Sequence, residues 1–74
     1  MQHKLFILRR EAKISQENMA KMLGISEIAY RLKETGKNEF KASEMFTIAK
    51  YFNKTIEEIF LPSILQNGVK IKGE

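Results

Sequence analysis

Cysteine and tryptophan are absent from this 74-residue chain, and proline and histidine each occur once. Without cysteine there is neither a disulfide framework nor a thiolate metal site. The single histidine, His3, leaves no histidine pair for a metal and no His-based catalytic constellation. No apolar run approaches the roughly 20 residues that a membrane span needs. Met1-Gln2-His3-Lys4 leads into a short apolar stretch broken by Arg9 and Arg10, which is not the pattern of a signal peptide. The expectation is a cytoplasmic protein that touches no membrane and carries no metal or cofactor. Strand alternation is also scarce, confined to Val69-Lys70-Ile71-Lys72.

What remains is a short chain, 43% hydrophobic, with a net charge of +4. Its length allows one domain, near the lower limit of what folds without staples, so dimerisation is a natural supplement to the core. The basic balance favours a polyanionic partner, though many basic domains bind no nucleic acid.

The apolar residues recur at helical spacing. Leu5, Leu8 and Ala12 form one stripe of a helix over about residues 2–12. Ser15 is positioned to cap a second helix that turns Met19, Ala20 and Leu23 inward and stops at Gly24. Ser26 caps a third, from Glu27 to about Thr35, with Ala29 and Tyr30 inward and Gly36 ending it. After the polar loop Lys37-Asn38-Glu39, a fourth helix over 42–52 aligns Met45, Ile48, Ala49 and Phe52. Thr55-Ile56-Glu57-Glu58 reads as a capping box opening a short fifth helix that buries Ile59 and Phe60. Pro62 is expected to end it, dividing a domain over 1–61 from a tail over 62–74 that is either flexible or part of a dimer contact. Tyr30, Phe46, Phe52, Met19, Met22 and Met45 read as core, and Phe40 as a pin for the start of helix four.

The most informative segment is Ser15 to Ser26. A small residue, Ala20, stands four positions before Gly24, and a capping serine follows two positions later. Two helices crossing at about 90–120° through a short turn need a small side chain at the crossing and a glycine at the bend. The second helix of such a pair can project into a DNA major groove.

On these residues the chain resembles the Cro/C1-type (XRE-like) helix-turn-helix regulators. The matching set is Leu5, Leu8, Arg9, Ser15-Gln16, Ala20, Leu23, Gly24, Ser26, Glu34, Gly36, Lys37, Ile48-Ala49-Lys50 and Ile56-Glu57-Glu58-Ile59-Phe60. Tyr30-Arg31-Leu32-Lys33-Glu34-Thr35-Gly36-Lys37 is most similar to small phage and prophage regulators. The resemblance implies an all-α, compact five-helix lambda-repressor-like domain with helices two and three as the helix-turn-helix. It also implies a role for each candidate residue. Glu27, Ile28, Arg31 and Leu32 would meet base edges, although family members more often place Gln, Arg, Ser or Asn there. Glu27 is able to accept from cytosine N4, and Ile28 or Leu32 to touch a thymine methyl.

Gln16, Ser26, Lys33, Lys37, Asn38 and Lys41 would meet phosphates, Lys33 by laying its stem along the core edge and turning its ammonium outward. Arg9 and Glu34 would form a structural ion pair between helix one and the end of helix three. Ile56, Phe60, Leu61, Ile64 and Leu65 supply apolar surface for a dimer contact. The leading function is thus a sequence-specific regulator, a repressor, binding a palindromic operator in double-stranded DNA as a homodimer. The alternative is a protein-interaction module or antitoxin of the same fold, suggested by the apolar, acid-led face of helix three. No Gly-rich phosphate loop or paired-carboxylate site points to an enzyme.

Overall fold

The computed structural model describes the backbone of residues 1–66 and the side chains of residues 1–61. Five helices follow one another: α1 His3–Glu11, α2 Gln16–Leu23, α3 Glu27–Glu34, α4 Ala42–Phe52 and α5 Ile56–Gln66. No strand occurs among the described residues. Val69 to Lys72 lies outside them.

Local chemistry sets the helix ends. Ser15 Oγ accepts from the Asn18 N–H and Ser26 Oγ from the Ala29 N–H, both at 3.0 Å, filling donors that the first turn leaves open. At α5 the capping box is reciprocal: Thr55 Oγ1 accepts from Glu58 N at 3.1 Å, and Glu58 Oε1 accepts from Thr55 N at 2.7 Å. Gly24 ends α2 in the left-handed region at φ 73°. A Cβ there would meet no atom within 4 Å, so the demand on this residue is conformational and not spatial.

Pro62 does not end α5, which runs through it to Gln66. Proline deletes the one N–H that would reach the Glu58 carbonyl, but its fixed φ of about −65° is itself helical, so the turn continues. Ser63 to Gln66 therefore continue α5. Ala12 also departs from expectation: it is exposed at the C-cap of α1.

The core gathers Leu5, Met19, Ala20, Tyr30, Phe40, Ile48, Ala49, Ile59 and Phe60. Phe40, in the loop before α4, is its hinge-point. Its ring meets Tyr30 edge-on at 6.0 Å and Phe60 at 5.4 Å, tying α3 to α5 through a residue that belongs to neither. Two expectations fail in this region. Phe46 is 62% exposed, because one residue past Met45 the helix has turned about 100° off the buried stripe. Phe60 is fully inside, so it is not free to serve as a dimer contact.

Two buried ion pairs complete the frame. Glu34 accepts from Arg9 Nε (2.8 Å), Arg9 Nη2 (3.2 Å), Gln16 Nε2 (3.0 Å) and Tyr30 Oη (2.8 Å), two donors to each carboxylate oxygen. Arg9 also donates from Nη1 to the Ile14 carbonyl at 2.9 Å, closing the α1–α2 turn. The second pair is Lys33–Glu44. The ammonium donates to both Glu44 oxygens at 2.7 and 2.9 Å, and Glu44 also accepts from the Lys41 N–H at 2.8 Å. The outward turn expected of Lys33 is not found. Its ammonium turns inward, because an acceptor-only carboxylate at the first turn of α4 is waiting for it.

Burial works against ionisation of both carboxyls. Hydrogen bonds outweigh it, from Arg9, Tyr30 and Gln16 at Glu34 and from Lys33 and Lys41 at Glu44, and hold both groups below the ordinary value of 4.5. Burial first, and then the Glu34 carboxylate, push the Tyr30 phenol well above its usual range, so it remains a donor. A depressed carboxyl stabilises the fold above its unfolded pKa and loses that contribution as pH falls through its folded one. Glu34→Gln places an amide N–H₂ among four donors and should cost about 3–5 kcal/mol at neutral pH. In urea unfolding, the gap between wild type and this variant should narrow steadily below pH 4.5. Phe60→Ala should cost a similar amount, about 3–5 kcal/mol, with no such narrowing.

Candidate nucleic-acid interface

The helices α2 and α3 pack directly on each other. Ala20, 2% exposed, lies in the core at a place where such a pair needs a small side chain. After Gly24, Ile25 packs inward on the core, its N–H donating to the Ala20 carbonyl at 3.0 Å. Ser26 then starts α3 at once. A helix entered through so short a turn, on a left-handed glycine, leaves at a steep angle to the one before it.

The residues of α3 divide sharply. Tyr30, Lys33 and Glu34 are buried; Glu27, Ile28 and Arg31 are exposed, with Ile28 at 66%, and Leu32 is half-buried. The outward face thus carries a carboxylate, an isoleucine and a guanidinium. Arg31 Nη2 lies 3.5 Å from Glu27 Oε2 one turn away. Arg31 Nε donates to Gln16 Oε1 at 3.4 Å, and Gln16 Nε2 donates to buried Glu34. Gln16, Glu27 and Arg31 are therefore brought together across the two helices. The sequence places Gln16 at the start of α2 but is silent on its link to Glu34 and Arg31. No spacing rule carries that signal, since the partners lie 18 and 15 residues away.

The loop after α3 is pinned from beneath. The N–H groups of Lys37 and Asn38 both donate to the Leu32 carbonyl, at 2.9 and 3.1 Å. Thr35 Oγ1 donates to the Arg31 carbonyl at 2.9 Å. Gly36 sits at φ 93°, a conformation that favours glycine, and a Cβ there would stand 3.0 Å from the Met1 nitrogen. The backbone is held while the side chains of Lys37, Asn38 and Lys41 point into solvent. Ser26 uses its oxygen as the α3 cap, leaving its hydroxyl proton to donate elsewhere.

On the far side, Ile56 is half-buried and Leu61 is 39% exposed, while Ile64 and Leu65 lie outside the described side chains. Phe46, Ala49 and Ile56, edged by Lys50, Lys54 and Glu57, line a groove of about 530 Å³ between α4 and the start of α5. Among the described residues, no group of His, Asp and Glu is placed to hold a metal ion. No described helix is long and apolar enough to cross a membrane.

Residues 5–59 match the family model described as helix-turn-helix. The chain is also 38% identical, over 61 residues, to an uncharacterized HTH-type transcriptional regulator of Methanocaldococcus jannaschii. That match covers 82% of this chain and 92% of the relative. No solved structure matches significantly. With two short helices joined by a tight turn between residues 15 and 34 and a family match spanning all but the ends, the chain belongs to the helix-turn-helix transcriptional regulators of the Cro/C1 (XRE) type.

Proposed function

We propose that this regulator binds double-stranded DNA sequence-selectively as a homodimer and represses by occupying an inverted-repeat operator. The observation that carries the reading is the division of α3: three residues locked into the fold, and Glu27, Ile28 and Arg31 left facing outward with nothing above them among the described residues. Residues at the start of a projecting helix are those that meet base edges in the major groove. Ile28 suits a thymine methyl, and Leu32 stands one turn behind it.

Phosphate contacts fall to Lys37, Asn38 and Lys41, whose loop backbone is already fixed, with the second amide proton of Gln16 and the Ser26 hydroxyl on the opposite edge. Lys33 is left out because its ammonium is engaged by Glu44. Such contacts position the protein without reading sequence.

The dimer surface centres on the α4–α5 groove, with Leu61 at its margin. Phe46 is a large exposed ring beside an apolar trough, and the trough carries both signs of charge, Lys50 and Lys54 against Glu57. A patch of that kind is self-complementary across a two-fold axis, where the lysines of one copy face the glutamate of the other. Two copies so joined would present two α3 helices to one face of the duplex, about 34 Å apart.

Lys37→Ala should weaken binding to every duplex. With one phosphate fewer neutralised by each subunit, it should also lower the slope of log K against log salt by roughly 2. Ile28→Ala should leave that slope alone and change which sequences are preferred. Fluorescence anisotropy over a salt series measures both. Wild-type behaviour in both variants would move α3 out of the DNA and make its exposed face a protein-binding surface. Phe46→Glu should turn the dimer monomeric in sedimentation equilibrium, with operator affinity falling alongside.

A further inference from the structure

The α2–α3 surface is ordered beyond the placement of its helices. Glu34 is ionised and accepts only, so Gln16 has to turn its amide nitrogen inward to donate to it at 3.0 Å. The amide oxygen is thereby forced outward, where it receives Arg31 Nε at 3.4 Å. Glu27 Oε2 lies 3.5 Å from Arg31 Nη2. One side of the guanidinium is thus engaged by two neighbours, while Nη1 and the second proton of Nη2 remain as an end-on fork. Both side chains are about half exposed, Arg31 at 52% and Glu27 at 46%. The outward face carries a donor fork with an acceptor oxygen immediately beside it, in a fixed order.

A G·C pair shows the complementary order on its major-groove edge: acceptors N7 and O6 on guanine, then the N4 donor on cytosine. O6 and N4 are joined by the pair's own hydrogen bond, so they stand about 2.9 Å apart. That spacing is close to the 3.5 Å between the guanidinium nitrogen and the carboxylate oxygen. An A·T pair would set its N6 donor under the fork and thymine O4 under the carboxylate, like facing like at both points. A C·G pair reverses the order, and the fork and carboxylate cannot exchange places while Gln16 holds Arg31.

We propose, resting on the DNA-binding reading above, that Glu27 and Arg31 act as one unit reading a single G·C pair in each half-site. Gln16, anchored on Glu34, is the positioning residue that presets it. Ile28 then reads an adjacent pair by apolar contact alone.

The test is selection from randomised duplexes, with sequencing, for the full chain and for Glu27→Gln, Arg31→Lys and Gln16→Ala, each first shown by circular dichroism to be folded. Wild type should enrich an inverted repeat with one G·C position fixed in each half. Glu27→Gln and Arg31→Lys should lose about ten- to hundredfold discrimination at that same position and keep the others. Gln16→Ala should blur the same position, where a merely structural role would lower affinity evenly across the site. If wild type enriches a repeat but the two variants leave its G·C position intact, or alter two different pairs, the joint reading fails and the DNA-binding reading stands. If wild type enriches nothing, both fall.

Discussion

Four donors converge on the carboxylate of Glu34, and the rest of the fold is arranged around keeping them there. Arg9 comes from α1, Gln16 from the start of α2 and Tyr30 from α3 itself, while the Gln2 N–H holds the Glu34 carbonyl at 2.8 Å. A carboxylate offers about four lone-pair sites, and all are filled. Such a group tolerates no slippage. If α3 rotated by a few tens of degrees, or slid by one residue, a buried charge would be deprived of donors that nothing nearby could replace. Apolar packing resists such movement weakly, because a methyl group is satisfied by any neighbour at the right distance. The orientation of α3 is therefore fixed by polar geometry: of its three buried residues, Tyr30, Lys33 and Glu34, two are charged and the third donates to Glu34.

Lys33 constrains the same helix from the other side. Lys33 and Glu34 are adjacent, so their side chains leave the helix about 100° apart, one toward α4 and the other toward α1 and α2. Each finds an opposite charge, and α3 is clamped between the two pairs. Buried pairs of this kind are poor sources of net stability, since desolvation offsets much of the attraction. Their value here is the single arrangement they permit. A helix meant to present a few side chains to a rigid partner gains from having little orientational freedom to lose on binding.

The helix positions are legible in the sequence because their signals are local. Ser15, Ser26 and Thr55 are followed closely by the N–H groups they cap, and Gly24 announces its own conformation. Phe40 is also readable, an aromatic alone in a polar loop. The features that escape such reading depend mostly on residues far along the chain. Lys33 looks like an outward cation until α4 brings Glu44 beneath it, 11 residues on. Phe46 and Phe60 are indistinguishable as letters. One is 62% exposed and the other 1%, through helical phase and the position of Phe40. Pro62 reads as a stop because proline usually is one, yet its backbone angle suits the helix it interrupts. The link from Glu34 through Gln16 to Arg31 leaves no trace in the sequence, since it joins helices through side-chain atoms.

A chain this short can spare few large apolar residues, yet Ile28 and Phe46 are both left in solvent. Burying either would strengthen the core, in which nine of the described apolar residues are buried. Neither position is an accident of crowding. Ile28 lies two residues before fully buried Tyr30, and Phe46 two before fully buried Ile48, so in each helix the buried residue fixes the phase and two steps back the helix points almost directly away. The same rotation that seals Tyr30 against Phe40 commits Ile28 to the outside. Polar residues at both places would have been compatible with the fold, and the exposed face of α3 is otherwise charged. An apolar side chain there contributes little to this subunit's stability and leaves its surface open to whatever the regulator binds.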